Sequence, residues 1–158
     1  MNQRLLDFRR SLGLHLEAIR TRCIEGYLAT LADEEELLVA LPHVQAPAQH
    51  DRSAILAEMR AWFSKRDWNF SPTVAWTTEL GATAFAMVNV VYAHSDRYGM
   101  PCDSRYPLMF VFRRYDTEWR AIAACAPTEP ALTALARSAE ICHREIVERP
   151  SELSLIHI

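Results

Sequence analysis

The sequence predicts an α+β fold, an antiparallel meander with helices over one face and a second subunit, or the last helix, over the other. Three observations carry that reading. Leu108, Met109, Phe110, Val111 and Phe112 are apolar in unbroken succession, whereas a strand with one face in water alternates, so both faces of this one are covered. After Trp68 the composition turns to threonine, valine and aromatics, with turn signals about every 12 residues, the mark of a meander. Before it, apolar residues recur at spacings of three and four, the period of a helix with one buried stripe.

The elements follow in order. Leu12, Leu16, Ile19, Cys23 and Tyr27 lie on one stripe and predict a long first helix. Asp33 followed by Glu36 has the form of a capping box, so "EEELLVAL" reads as a second, short helix that Pro42 stops. The prolines of "PHVQAPAQHD", residues 42 to 51, make a loop. Ser53 is the expected N-cap of a third helix, whose stripe is Ile55, Leu56, Met59, Trp62 and Phe63. Strands are expected near 69–80, 82–94, 104–115 and 118–126. A last amphipathic helix, from about residue 129 to 148, places Leu132, Leu135, Ala139, Cys142 and Ile146 on one stripe.

Composition limits the function classes. With 158 residues, half of them apolar, the chain fills one core, and residues 1–150 read as a single domain. A net charge of −3 with interspersed signs offers no basic face for nucleic acid and no polybasic stretch for a membrane. The N-terminus lacks a signal-peptide core, and no stretch approaches the roughly 20 apolar residues of a membrane span, so a cytoplasmic protein is expected. Cys23, Cys102, Cys125 and Cys142 are far apart without a CxxC pair. Reduced thiols are expected, with Cys23, Cys125 and Cys142 as small core fillers and Cys102 in a loop. The last six residues, "LSLIHI", are what one reading frame of a common sequencing-library adaptor encodes. Residues 153–158 are therefore read as a preparation scar, which leaves the true C-terminus unknown.

Register follows from the turns, because facing positions in a hairpin sum to a constant. The turn at Asp116 and Thr117 sets Phe112 opposite Ala121, Phe110 opposite Ala123 and Leu108 opposite Cys125. That at Leu80 and Gly81 sets Phe85 opposite Trp76 and Met87 opposite Val74. The longer loop "SDRYGMPCD" sets Asn89 against Phe110 and Val91 against Leu108. One face then collects Trp76, Phe85, Met87, Asn89, Tyr106, Leu108, Phe110 and Phe112, large aromatics facing small side chains with room between. The other collects Ala84, Ala86, Val88, Val90, Met109, Val111 and Ile122, a smooth surface suited to packing.

The pattern from residue 12 to 126 resembles the nuclear-transport-factor-two-like superfamily and, within it, the SnoaL-like group. The resemblance rests on a long first helix, "LADEEELLVALPHV", "SAILAEMRAWF" and the closing "FVFRRYDTEWRAIAA". It implies a cone-shaped, strongly curved antiparallel sheet of four or more strands, with N-terminal helices on its concave face. The last helix is an addition to that plan. It also implies a homodimer through the outer sheet face. Activity is not implied, because the superfamily includes polyketide cyclases, ketosteroid isomerases, dehydratases, transport factors and inert binding domains. The carboxylate base of the isomerases has no match: "LPHVQAPA" contains no acid. The inner-strand acid of the cyclases has no evident equivalent either.

The residues themselves point to a pocket. Tyr27 and Trp62 from helices, with Trp76, Asn89, Tyr106 and Phe110 from strands, are the expected ligand-binding set, and His43 near the mouth is the candidate base. His94 reads as a residue flanking a turn. Asn89, an amide in an apolar strand, needs a partner. Scattered His, Cys and Asp give no metal-ligand spacing, and the four glycines form no phosphate-binding loop. No cofactor or metal is expected. The expected function is a small-molecule-binding domain for an aromatic or polyketide-like ligand. The alternatives are a cofactor-free isomerase, cyclase or dehydratase with a histidine base, and a dimeric scaffold without ligand.

Overall fold

A computed structural model of the chain describes residues 7–42 and 49–127. Three helices, α1 (Asp7–Arg20), α2 (Ile24–Thr30) and α3 (Arg52–Ser64), accompany β1 (Glu36–Ala40), β2 (Gln49–Asp51), β3 (Trp68–Leu80), β4 (Thr83–Ser95), β5 (Pro101–Tyr115) and β6 (Glu118–Cys125). The six strands form one sheet in the order β2-β1-β6-β5-β4-β3. All neighbours run antiparallel except β1 and β6, which are parallel. The α+β architecture and the four long strands match the sequence reading. The expected last helix lies outside the described residues, as do residues 153–158.

The expected long first helix is two helices. At Arg22 the backbone turns left-handed, with φ 58°. Cys23 N–H reaches back to the Ala18 carbonyl and Arg22 N–H to that of Ile19, a pairing that ends a helix at a residue usually glycine. The strain of the left-handed arginine is offset by its side chain: the guanidinium lies 4.3 Å from the Trp68 ring centre and donates to the Trp68 carbonyl. Cys23, exposed rather than a core filler, caps α2 by accepting from Gly26 N–H at 3.4 Å. A Cβ on Gly26 would lie 3.2 Å from that of Ala18, so glycine lets α1 and α2 approach.

The expected short helix at "EEELLVAL" is strand β1. Leu37, Val39 and Leu41 are buried while Leu38 and Ala40 are half-buried, a period of two. Leu38, Val39 and Ala40 pair with Ala123, Ala124 and Cys125 of β6. Free β6 backbone groups at a sheet edge therefore decide against local helix propensity. The acidic run does not serve a helix start. Glu34 instead accepts from Arg113 Nη1 at 2.9 Å and from the Tyr115 hydroxyl. For α3, Asp51 rather than Ser53 holds the N-cap position, without a side-chain cap bond.

Two bulges and one loop set the faces of the sheet. The β4–β5 connection pairs Ser95 with Pro101, which places Val88 opposite Leu108, Ala86 opposite Phe110 and Ala84 opposite Phe112. The inner face therefore carries Ala84, Ala86, Val88, Val90 and Tyr92 of β4, all buried, and not Phe85, Met87, Asn89 and Val91. A register shift between Val74 and Trp76 turns Trp76 outward beside Met87, while Val74 stays inside opposite Val88. Another between Val111 and Phe112 pairs Phe110 with Ala124 rather than Ala123. The expected smooth surface is thus split: Val88 and Val90 are core, and Met109 and Val111 are outer.

Candidate functional site

On the inner face, helix aromatics meet strand aromatics. Phe110 and Phe112 are fully buried, and both rings stand edge-on to His15 of α1, at 5.8 and 5.6 Å between centres. His15 lies 4.8 Å from Tyr27 of α2. Tyr27 meets Phe63 at 5.9 Å, Phe63 meets Trp62 at 5.6 Å, and Trp62 stacks on Trp68 at 4.2 Å. Trp62 Nε1 donates to the Tyr92 hydroxyl at 3.2 Å, and Trp68 Nε1 to the Trp62 carbonyl at 3.0 Å.

The polar centre of this wall is His15 with Thr30. Their Nδ1 and Oγ1 atoms are 2.8 Å apart. Thr30 Oγ1 also reaches the Gly26 and Tyr27 carbonyls at 3.0 and 3.2 Å. A hydroxyl has one proton; given to a carbonyl, it leaves Oγ1 to accept from Nδ1–H, so Nε2 of the neutral ring is an acceptor. Burial drives the His15 pKa from 6.5 down to about 3, because desolvation disfavours the imidazolium. Burial likewise pushes the Tyr27 hydroxyl up. The site thus presents a neutral acceptor and protonated phenols, suited to hydrogen bonding and not to strong base chemistry at His15.

Towards the β4–β5 loop the face opens. Tyr106 is half-buried, and its phenol is raised by burial and then by the charge of Tyr92. Ser104 and Cys102, further along β5 on the same face, are half-buried as well. His94 stacks on Tyr92 at 5.2 Å.

Of the expected ligand-binding set, Tyr27, Trp62, Tyr106 and Phe110 share this face. Trp76 and Asn89 lie on the outer one, Trp76 at 45% exposure and Asn89 exposed. Asn89 is therefore exposed and does not enter the inner face. His43 lies outside the described residues. Sequence reading missed His15 and Thr30. The signal existed: His15 sits three residues after Leu12 and four before Ile19, on the stripe already recognised as buried.

Away from this face, Asp33, Tyr115, Asp116, Thr117, Glu118 and Arg120 line an open groove of about 440 Å³. Among the described residues no group of His, Cys, Asp and Glu could hold a metal ion, and no helix is long and apolar enough to cross a membrane.

The fold has solved counterparts. A provisional dehydratase of the NTF2-like family from Streptomyces avermitilis superimposes with a TM-score of 0.64 at 14% identity, covering 80% of this chain and 97% of that one. The chain has the NTF2-like fold. A provisional ketosteroid isomerase from Shewanella frigidimarina gives a TM-score of 0.60 at 12% identity, over 73% and 90% of the two chains. An association domain of the calcium/calmodulin-dependent protein kinase type II kind from Thiobacillus denitrificans gives 0.63 at 16%, over 76% and 93%. No family description and no curated protein matches the sequence. Identities this low establish the NTF2-like fold and leave the activity open.

Proposed function

We propose that this NTF2-like protein binds a small, mostly apolar ligand, aromatic or polyketide-like, on the inner face of its sheet, as a cytoplasmic SnoaL-like domain without a cofactor. One observation carries the reading. Along β5 the inner face passes from fully buried Phe110 and Leu108 to half-buried Tyr106, Ser104 and Cys102, so the face is left partly uncovered at that edge. Concave apolar surfaces with a few convergent polar groups are where small ligands bind. Tyr106 at the open edge and the His15 acceptor deeper in supply such groups.

A ligand that binds the folded state raises the melting temperature by mass action. Screening naphthols, flavonoids and aromatic polyketides against the wild type is expected to give a shift of several degrees for at least one class. Tyr106→Ala weakens that shift, and Asn89→Leu leaves it intact because Asn89 faces outward. A broad panel without any shift overturns the reading. Turnover of enolisable ketones, abolished by His43→Ala, would establish the isomerase, cyclase or dehydratase alternative instead.

A homodimer through the outer sheet face accompanies this proposal. It is supported by Trp76 and Leu80, exposed at 45% and 66% on that face, and by fold neighbours named as association domains. Exposed apolar patches of this kind mark interfaces.

A further inference from the structure

At the open end of the inner face, His94 and Ser104 occupy adjacent strands in diagonal register: Ser104 lies opposite Tyr92, and His94 lies opposite Cys102. His94 Nδ1 is 3.3 Å from the Ser95 carbonyl. A carbonyl only accepts, so Nδ1 carries the proton and Nε2 holds the lone pair. That lone pair is 3.5 Å from Ser104 Oγ. The imidazole plane is fixed by its stack on Tyr92, 27° from parallel. A nucleophile, a correctly protonated base and a group that orients the base are thus in sequence, at a spacing expected of a resting pair that tightens around substrate. Both side chains are half-buried, so a ligand has access.

We propose that Ser104 and His94 form a nucleophile–base pair that accepts acyl groups from small apolar or aromatic esters. The Ser104 Oγ lone pair attacks the ester carbonyl carbon while its proton passes to His94 Nε2. The tetrahedral intermediate collapses by breaking the carbon–oxygen bond to the leaving alcohol, which takes that proton. Water then attacks the acyl carbon, gives a proton to Nε2, and the Ser104 oxygen leaves and recovers it. Tyr106, two residues along on the same face, is the phenol placed to donate to the oxyanion, and burial keeps it protonated. The inference rests on the proposed ligand site only for the seat of the acyl group.

The test is acylation by p-nitrophenyl acetate and p-nitrophenyl butyrate, read by intact mass and peptide mapping. Ser104 is expected to carry the acyl group in the wild type and in Cys102→Ser. The adduct is absent in Ser104→Ala, and its formation slows about 100-fold in His94→Gln, the scale of a lost general base. Circular dichroism and melting curves establish that each variant is folded. An unmodified Ser104, or label only on Cys102 or lysine, overturns the proposal. A thermal shift from aromatic ligands without acylation removes this inference and keeps the ligand site. Acylation without any thermal shift does the reverse.

Discussion

His15 on α1 and Thr30 on α2 are joined by a 2.8 Å hydrogen bond inside the core. Fifteen residues separate them in sequence, and the bond exists because Arg22 breaks the helix between them and folds α2 back along α1. It is the polar centre of an otherwise aromatic wall, and its burial has consequences for stability.

Acid should unfold the protein through His15. Its folded pKa is about 3 against 6.5 for the unfolded chain. Between those values the unfolded state binds a proton that the folded state refuses. Stability is therefore complete above about pH 6.5 and falls towards pH 3, by up to about 1.4 kcal/mol per pH unit. Urea unfolding measured from pH 7 to pH 4 should show this slope, and His15→Phe should flatten it. An unchanged slope in the variant would remove His15 as the cause.

Thr30→Val keeps the side-chain shape and takes away the acceptor. The stranded Nδ1–H should cost about 1–3 kcal/mol, a fall of several degrees in melting temperature. Adding His15→Leu should recover part of that loss, because removing both partners leaves no polar group buried. A double variant no more stable than the Thr30 single variant contradicts this account.

Glu34 ties the segment before β1 to β5 through Arg113 and Tyr115. The pair is partly exposed, with Arg113 and Glu34 side chains at 31% and 28%, so Glu34→Gln should cost only about 1 kcal/mol. Tyr115 titrates high because of burial first and the Glu34 hydrogen bond second. In the variant its spectrophotometric titration should move down but stay above the ordinary tyrosine value, since burial remains.

Trp76→Arg should leave the fold intact, because Trp76 is an outer-face residue at 45% exposure, and should dissociate the proposed homodimer. Sedimentation velocity distinguishes the outcomes. A wild-type protein that already sediments as a monomer ends the dimer reading.

The sequence by itself determined the α+β class, the four long strands within a few residues, and helix α3, because hydrophobic period and turn chemistry are local signals. It also identified Tyr27, Trp62, Tyr106 and Phe110 as inner residues, since each lies on a strongly apolar stripe or strand. Tertiary structure decided what locality could not. "EEELLVAL" has helical propensity, but a parallel partner in β6 makes it a strand. The first apolar stripe runs on through Arg22, but the contact of that side chain with Trp68 fixes the break. Trp76 and Asn89 face outward because strand parity depends on a loop and a bulge: one residue added to a ladder moves every later side chain to the other face. That count is set by how the strands pack, and no single strand carries it.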